Sequence, residues 1–349
     1  MLPVVLEPNR FPHFYRGGAA ITRLRNVAAP AECSPEEWVG SATTRFGSSG
    51  YGLSRFKDGS LVKDALVSDP LAWLGPRHAE TFGSDPGVLV KLLDAAERLP
   101  VHVHPTDDFA RRHLGCRFGK TESWYVLDAV VDGAVYLGLK EKINRADLDA
   151  MVLSQDIEGI LGALRRFSVS PGDSVLVPAG MPHAIGEGVF VAETQQPTDF
   201  SIMLEQPAAL MGSDLFCGLE MDVALSAVDL RPTSPYDIQA LRAHVEPTLR
   251  SDTPLGVLCD AAEQYFRVRL LRPELEMELQ QAFAVWIVLE GEGWVADEFG
   301  QRMSLAKGDT LVVPFACRGR LGGEIEIFSA SPPLPSPRIP SSSPRPAPA

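Results

Sequence analysis

The sequence is short of several things. No stretch approaches about 18 consecutive apolar residues, so no helix is expected to cross a membrane. Met1 to Gly18 hold no basic segment followed by an apolar run, so no secretory leader is expected. Cysteine is scarce: Cys33, Cys116, Cys217, Cys259 and Cys317 are an odd number, widely scattered, with no CxxC pair. That pattern fits free thiols in a reducing cytosol. Positive charge is also short, with 32 Lys and Arg against 45 Asp and Glu, a net charge of −13. A general nucleic-acid binder needs a basic face to displace counterions from phosphates, so that class is excluded. A local basic pocket for a small anion stays open.

What is present points to a folded, turn-rich protein. At roughly 150 residues per domain, 349 residues suggest two domains. A 45% hydrophobic content rules out wholesale disorder. The 30 Gly and 29 Pro favour many turns and short strands over long helices. Eight of the prolines crowd into residues 331–349 (SPPLPSPRIPSSSPRPAPA), which is expected to be a disordered, polyproline-rich tail.

Short β-type runs alternate with turn signals through the remaining body. They are GVLVKL (87–92), SWYVL (123–127), AVYLGL (134–139), SVLVP (174–178), VFVAE (189–193), FRVRLL (266–271), VWIVL (285–289), TLVVP (310–314) and EIEIF (324–328). Such spacing predicts an all-β-dominated barrel or sandwich architecture. One short helical insert is expected at about 140–167, with Asn144 as N-cap and Leu148, Met151, Val152, Ile160, Leu161 and Leu164 at helical spacing. The segment PGDSVLVP (171–178) matches KGDTLVVP (307–314), each a Gly-Asp turn, an apolar strand and a proline. Two related barrels follow from this repeat. They are expected at 1–232 and 233–330, joined near Arg231–Pro235 and followed by a helical pattern at Asp237–Val245.

The chemistry concentrates in the first copy. His102 and His104 stand at i and i+2 in VHVHP, so on a strand both imidazoles aim to one side. His183 follows the first Gly-Asp strand in the pattern G-x5-P-x-G-x2-H, and Glu122 opens the strand ESWYVL. Three imidazoles and a carboxylate suit a divalent transition metal. The other histidines, His13, His78, His113 and His244, have no ligand-like spacing and read as structural. In the second copy the position of His183 is Gly319 and no HxH precedes it, so the second barrel is expected to lack this metal site.

The histidine pattern resembles the cupin superfamily. More narrowly, VKLLDA (90–95), VHVHP (101–105), GKTESWY (119–125), 177–186 and ETQQPTD (193–199) are similar to the type I mannose-6-phosphate isomerases. The resemblance covers roughly residues 30–210 well and the C-terminal barrel loosely. It implies two cupin-type (jelly-roll) barrels. It implies one zinc ion per chain, held by His102, His104, Glu122 and His183. It implies sugar-phosphate contacts near Lys91 and Lys120 and an acidic wall at Glu193. It implies a cytoplasmic enzyme, monomeric or a small homo-oligomer, that interconverts mannose 6-phosphate and fructose 6-phosphate without nucleic-acid or membrane partners. Lys120 and Glu193 are the candidate catalytic groups; Lys91, Asp199, Arg45 and Trp38 are the candidate substrate contacts.

Three positions depart from the family pattern. His102 stands where the family has Gln, and Pro100 where it has Ser. Met203 stands where it has a catalytic Arg, and a thioether cannot replace a guanidinium. Arg45, Arg111 and Arg112 are the cations that could substitute. Two alternative functions follow: a non-catalytic or altered-specificity sugar-binding cupin, and a metal-dependent cupin oxygenase.

Overall fold

The computed structural model describes residues 1–48 and 50–334. Its strands form three sheets in which every pairing is antiparallel. The central sheet runs Arg242–His244, Asp173–Val177, Glu122–Ala129, Val189–Gln195, Leu89–Ala95, Glu36–Val39. A second sheet runs Ile202–Met203, His102–Val103, His183–Ile185, Ala134–Leu139, Leu164–Ser168. The third, eight-stranded sheet is built mainly on the long strands Ala284–Asp297 and Gly319–Ser331. The protein is thus strand-dominated, as expected.

The central sheet is covered on both faces, which explains its near-continuous apolar strands. Its front presents Leu93, Trp124, Val126, Val175 and Val191 to Val135, Leu137 and Ile185 of the second sheet. Its back presents Val90, Leu92, Tyr125, Phe190 and Ala192 to Val285, Ile287, Val312, Phe328 and Ala330 of the third. Directly paired residues share a face, so Lys91, Trp38 and Glu193 project forward with Trp124.

The internal repeat is visible atom by atom. Gly172 and Gly308 both take left-handed backbone, with φ of 91° and 89°. Each glycine N–H donates to the equivalent strand, Gly172 to Val126 O and Gly308 to Val288 O. In each turn the following aspartate accepts from the residue three before it: Asp173 from Ser170 N and Asp309 from Ala306 N, both at 2.9 Å. At Gly319, the position matching His183, an added Cβ would lie 1.8 Å from Ala296 O, so no side chain fits that backbone.

Several expectations need correction. The helical insert ends sooner: the helices are Arg145–Ser154 and Ile157–Ala163, and Leu164–Ser168 is a strand paired with Ala134–Leu139. The helix after the linker is Pro235–Ala240, closed at its start by a Ser234–Asp237 capping box, and Arg242–His244 is a strand. That strand pairs with Asp173–Val177 of the central sheet, while Val4–Val5 pairs with Thr310–Val313 of the third. Chain therefore crosses the expected 232/233 boundary in both directions. Further helices, including Ala19–Arg25, Val62–Ser68 and Pro76–Phe82, carry no clear sequence periodicity at this length. The expected tail at 331–349 begins inside a strand, since Ser331 pairs with Arg267; residues 335–349 lie outside the described residues. No helix among the described residues is long and apolar enough to cross a membrane. All five cysteines are unbridged.

Candidate metal centre and active site

The second sheet brings the histidines together. His102 pairs directly with His183 across neighbouring strands, and Met203 flanks His102 on its other side. The His102–His104 and His102–His183 ring centroids lie 4.9 and 4.3 Å apart. Each ring turns one nitrogen to a backbone carbonyl at 2.8 Å: His102 Nδ1 to Pro100 O, His104 Nδ1 to Phe200 O, His183 Nδ1 to Met181 O. These carbonyls accept from Nδ1–H and leave each Nε2 unprotonated, the tautomer a metal ligand needs.

Glu122 faces this cluster from the central sheet. Its Oε2 lies 2.9 Å from His104 Nε2, and its Oε1 lies 3.5 Å from His183 Nε2. Tetrahedral ligands at ordinary zinc distances are separated by about 3.3 Å, close to this spacing. His183 Nε2 and Glu122 Oε2 are buried without an aligned hydrogen-bond partner. Acceptors crowded in this way, with the Lys120 ammonium 3.2 Å from Glu122 Oε2 as counter-charge, are the condition a bound cation relieves. The donor atoms of His102, His104 and His183 lie within 4.8 Å of one another, and these three form the potential metal cluster among the described residues.

Burial keeps the imidazoles neutral. It pushes His104 down to about 3, with the Lys120 charge adding to the effect and Glu122 opposing it. Burial likewise lowers His102, well below its ordinary value, and His183. For Glu122, burial works to raise the carboxyl, but Lys120 and His104 hold it well below the usual range. Neutral imidazoles and an ionised carboxylate are the protonation states that bind metal.

His102 and Glu122 of the cluster line a cavity of about 210 Å³. Lys120 reaches it with Nζ 2.9 Å from His104 Nε2 and 3.2 Å from Glu122 Oε2. The loop carrying Lys120 is tied down by Thr121 N donating to Gln196 Oε1, and by Gln196 Nε2 and Gly119 N both donating to Asp107 Oδ1. Glu193 also lines the cavity, and its Oε1 is buried without a hydrogen bond. Burial, reinforced by the charge of Glu122 and opposed by Lys91 and Lys120, pushes its carboxyl up to about 7.

Lys91 lines the same cavity inside a cage of carboxylates. Its Nζ lies 3.4 Å from Glu36, 3.6 Å from Glu193 and 3.6 Å from Asp199, and 4.6 Å above the Trp38 ring. Trp38 itself is fully enclosed and donates its Nε1–H to Glu36 Oε2. Trp38, a candidate substrate contact from the sequence, does not line the cavity and packs against Lys91 instead. Arg45 lines the mouth, donating one N–H to Pro12 O, with Asp199 beside it accepting from Phe46 N. Arg111 and Arg112 are exposed and pair with Asp108, away from the cavity wall, so neither substitutes at Met203.

Sequence reasoning missed three members of the wall. His13, read as structural, lines the cavity with Nε2 buried and unpartnered, and lies 3.5 Å from Glu36. Tyr15 and Cys217 also line the cavity; Tyr15 donates to Glu36 Oε1 at 2.6 Å, and Cys217 Sγ donates to Ser201 O. All three arrive from segments remote in sequence, and no local spacing announces them.

A strand-dominated fold with three neutral imidazoles and a carboxylate converging beneath a small acidic cavity defines a cupin-type protein with a potential metal centre. No family model matches the chain. Among curated proteins it is 29% identical to the mannose-6-phosphate isomerase ManA of Bacillus subtilis over 264 residues, covering 73% of this chain and 79% of that one. It is 26% identical to the mannose-6-phosphate isomerase of Streptococcus mutans over 322 residues, covering 90% and 93%. The solved structure of a Bacillus subtilis mannose 6-phosphate isomerase superposes with a TM-score of 0.71 at 26% identity, covering 95% of this chain and 99% of that one. In sequence and in fold the chain is thus similar to mannose-6-phosphate isomerases.

Proposed function

We propose that this protein is an aldose–ketose isomerase that interconverts mannose 6-phosphate and fructose 6-phosphate in the cytoplasm, with one zinc ion held by His102, His104, Glu122 and His183. The observation that carries the reading is the convergence of His102, His104, His183 and Glu122, with His183 Nε2 buried without a hydrogen bond, beside a cavity lined by His102, Glu122 and Glu193. When bound, such a metal supplies a Lewis acid for the sugar oxygen on which negative charge develops.

The remaining work falls to side chains. Isomerisation moves a proton between C1 and C2 of the open-chain sugar, and a group within reach must carry it. Glu193 is that group: its Oε1 accepts no hydrogen bond and has the Lys91 ammonium 3.6 Å away, whereas Lys120 is engaged with His104 and Glu122. Lys120 holds its ammonium protons toward the same point and stabilises the enediolate oxygen by charge. Lys91, balanced by Glu36, Glu193 and Asp199, fixes the orientation of Glu193 and Asp199. Arg45 is the guanidinium on the cavity wall among the described residues, and it takes the phosphate role left open at Met203.

A coupled assay of zinc-loaded protein with mannose 6-phosphate, reading fructose 6-phosphate, tests the proposal. Turnover supports it. Stoichiometric zinc with no turnover overturns it.

A further inference from the structure

Between the central and third sheets lies a cavity of about 490 Å³, separate from the site above. It opens on the back of the strands whose front carries Glu122 and Glu193. Tyr125, Leu127 and Phe190 form one wall, Leu289 and Arg272 the opposite one, and Leu24 and Arg23 of the helix Ala19–Arg25 close a side. Its size falls in the range of small-molecule sites, roughly 300–1,000 Å³.

Two features give it a chemical preference. Arg272 is 3% exposed. Its terminal nitrogens donate to Glu246 O, Leu249 O and Glu326 Oε1, and the Tyr125 hydroxyl interacts with the guanidinium, but its Nε–H is buried with no aligned partner. A buried guanidinium donor left unmatched is unusual enough to require a partner. Arg23, at the rim, has no ion-pair or hydrogen-bond partner among the described residues. The other charged groups of the lining are largely matched: Lys307 pairs with Glu290, and Arg272 with Glu326. Asp128 is the remaining carboxylate, and its Oδ1 accepts from Ala129 N.

We propose that this inter-sheet cavity is a binding site for a small amphipathic anion, with the apolar body between Phe190, Leu127 and Leu289 and the anionic group on Arg23 and Arg272 Nε. The site stands independently of the isomerase reading. An occupant would rest on the strands Glu122–Ala129 and Val189–Gln195, so it touches the scaffold of the active site without entering it.

Anilinonaphthalene sulfonate, an aromatic body with one sulfonate, is the probe. The full-length protein is titrated by fluorescence with mannose 6-phosphate held at saturation, so that the active site is occupied. Saturable binding of one probe per chain is expected. Arg23→Glu, an exposed change that spares the core, should weaken it at least about tenfold, as loss of one charge-assisted contact requires. Inorganic sulfate, which has no apolar body, should compete at least about tenfold less well than benzenesulfonate. Absence of saturable binding, an affinity within about twofold of wild type in Arg23→Glu, or equal competition by sulfate and benzenesulfonate would each overturn the proposal.

Discussion

Replacing Lys91 by methionine separates two roles for that residue. If its ammonium serves only to grip substrate, Lys91→Met should raise KM and leave folding alone. The surroundings imply the opposite. Three carboxylates stand 3.4–3.6 Å away, and the lysine side chain is 4% exposed. At an effective dielectric of about 20, each such contact carries about 5 kcal/mol of gross attraction. Burying the ammonium takes back several kcal/mol of this. Removing it leaves Glu36 and Glu193, 9% and 4% exposed at their side chains, without a counter-charge. Breaking a buried pair in this way costs about 3–5 kcal/mol. Glu193 can relieve part of that by taking a proton, so the lower end is expected.

The assay is urea unfolding of wild type and Lys91→Met at pH 7, with the midpoint shift converted through the common slope. Burial lowers the Lys91 ammonium's pKa, but Glu36, Glu193 and Asp199 raise it overall above its ordinary value. Its stabilising contribution is therefore complete below the unfolded lysine value of about 10.4 and fades as pH rises through the folded value. The gap between wild type and variant should widen as pH rises through about 7, where Glu193 ionises beside Lys91, and shrink only in stronger alkali. Adding Glu36→Gln should recover part of the loss, because the pair is coupled. A destabilisation under about 1 kcal/mol would refute the caged-lysine argument and return Lys91 to the substrate.

Other changes test other parts of the structure. His104→Ala and His183→Ala should each abolish stoichiometric metal by elemental analysis and reduce isomerisation to background, with circular dichroism unchanged; full metal occupancy in either variant would remove that residue from the ligand set. Arg45→Met should raise KM for mannose 6-phosphate at least about tenfold, with a smaller change in kcat, as expected for a charge-assisted contact to the phosphate. Gly308→Ala should cost about 1–3 kcal/mol or more by urea unfolding, because φ is +89° and the new Cβ would lie 2.5 Å from Leu24 O. Gly300→Ala, with φ of +82° and nothing within 4 Å, should cost about 1 kcal/mol, so equal losses at both positions would remove the close contact from the argument.

The difference between what the sequence discloses and what it hides is physical. His102 and His104 are legible because strand period fixes i and i+2 to one side, and His183 because a Gly-Asp turn and a proline mark its strand. The repeated turn at Gly172 and Gly308 is legible because only glycine holds that backbone cheaply. Boundaries fare worse. Leu164–Ser168 continues an apolar helical spacing but is a strand, since Ala134–Leu139 offers it a ladder. Arg242–His244 follows a helix of only six residues and is captured by the central sheet, so sheet membership crosses the linker.

The acidic balance of the chain acquires a local meaning from this. Glu36 reaches the cavity on one sheet edge, Glu193 two strands away, and Asp199 from a loop; no spacing in the sequence joins them. Topology alone puts all three around Lys91. Once they are there, Lys91 cannot act as a free cation, which leaves Arg45 as the guanidinium facing the cavity among the described residues. A phosphate ester would then be held at the mouth, by a residue that stands more than a hundred positions from Met203, while the lysine beneath keeps Glu193 turned toward the sugar. Local motifs can therefore specify the candidate metal ligands. The division of labour among the cations is decided by which carboxylates the fold brings to each.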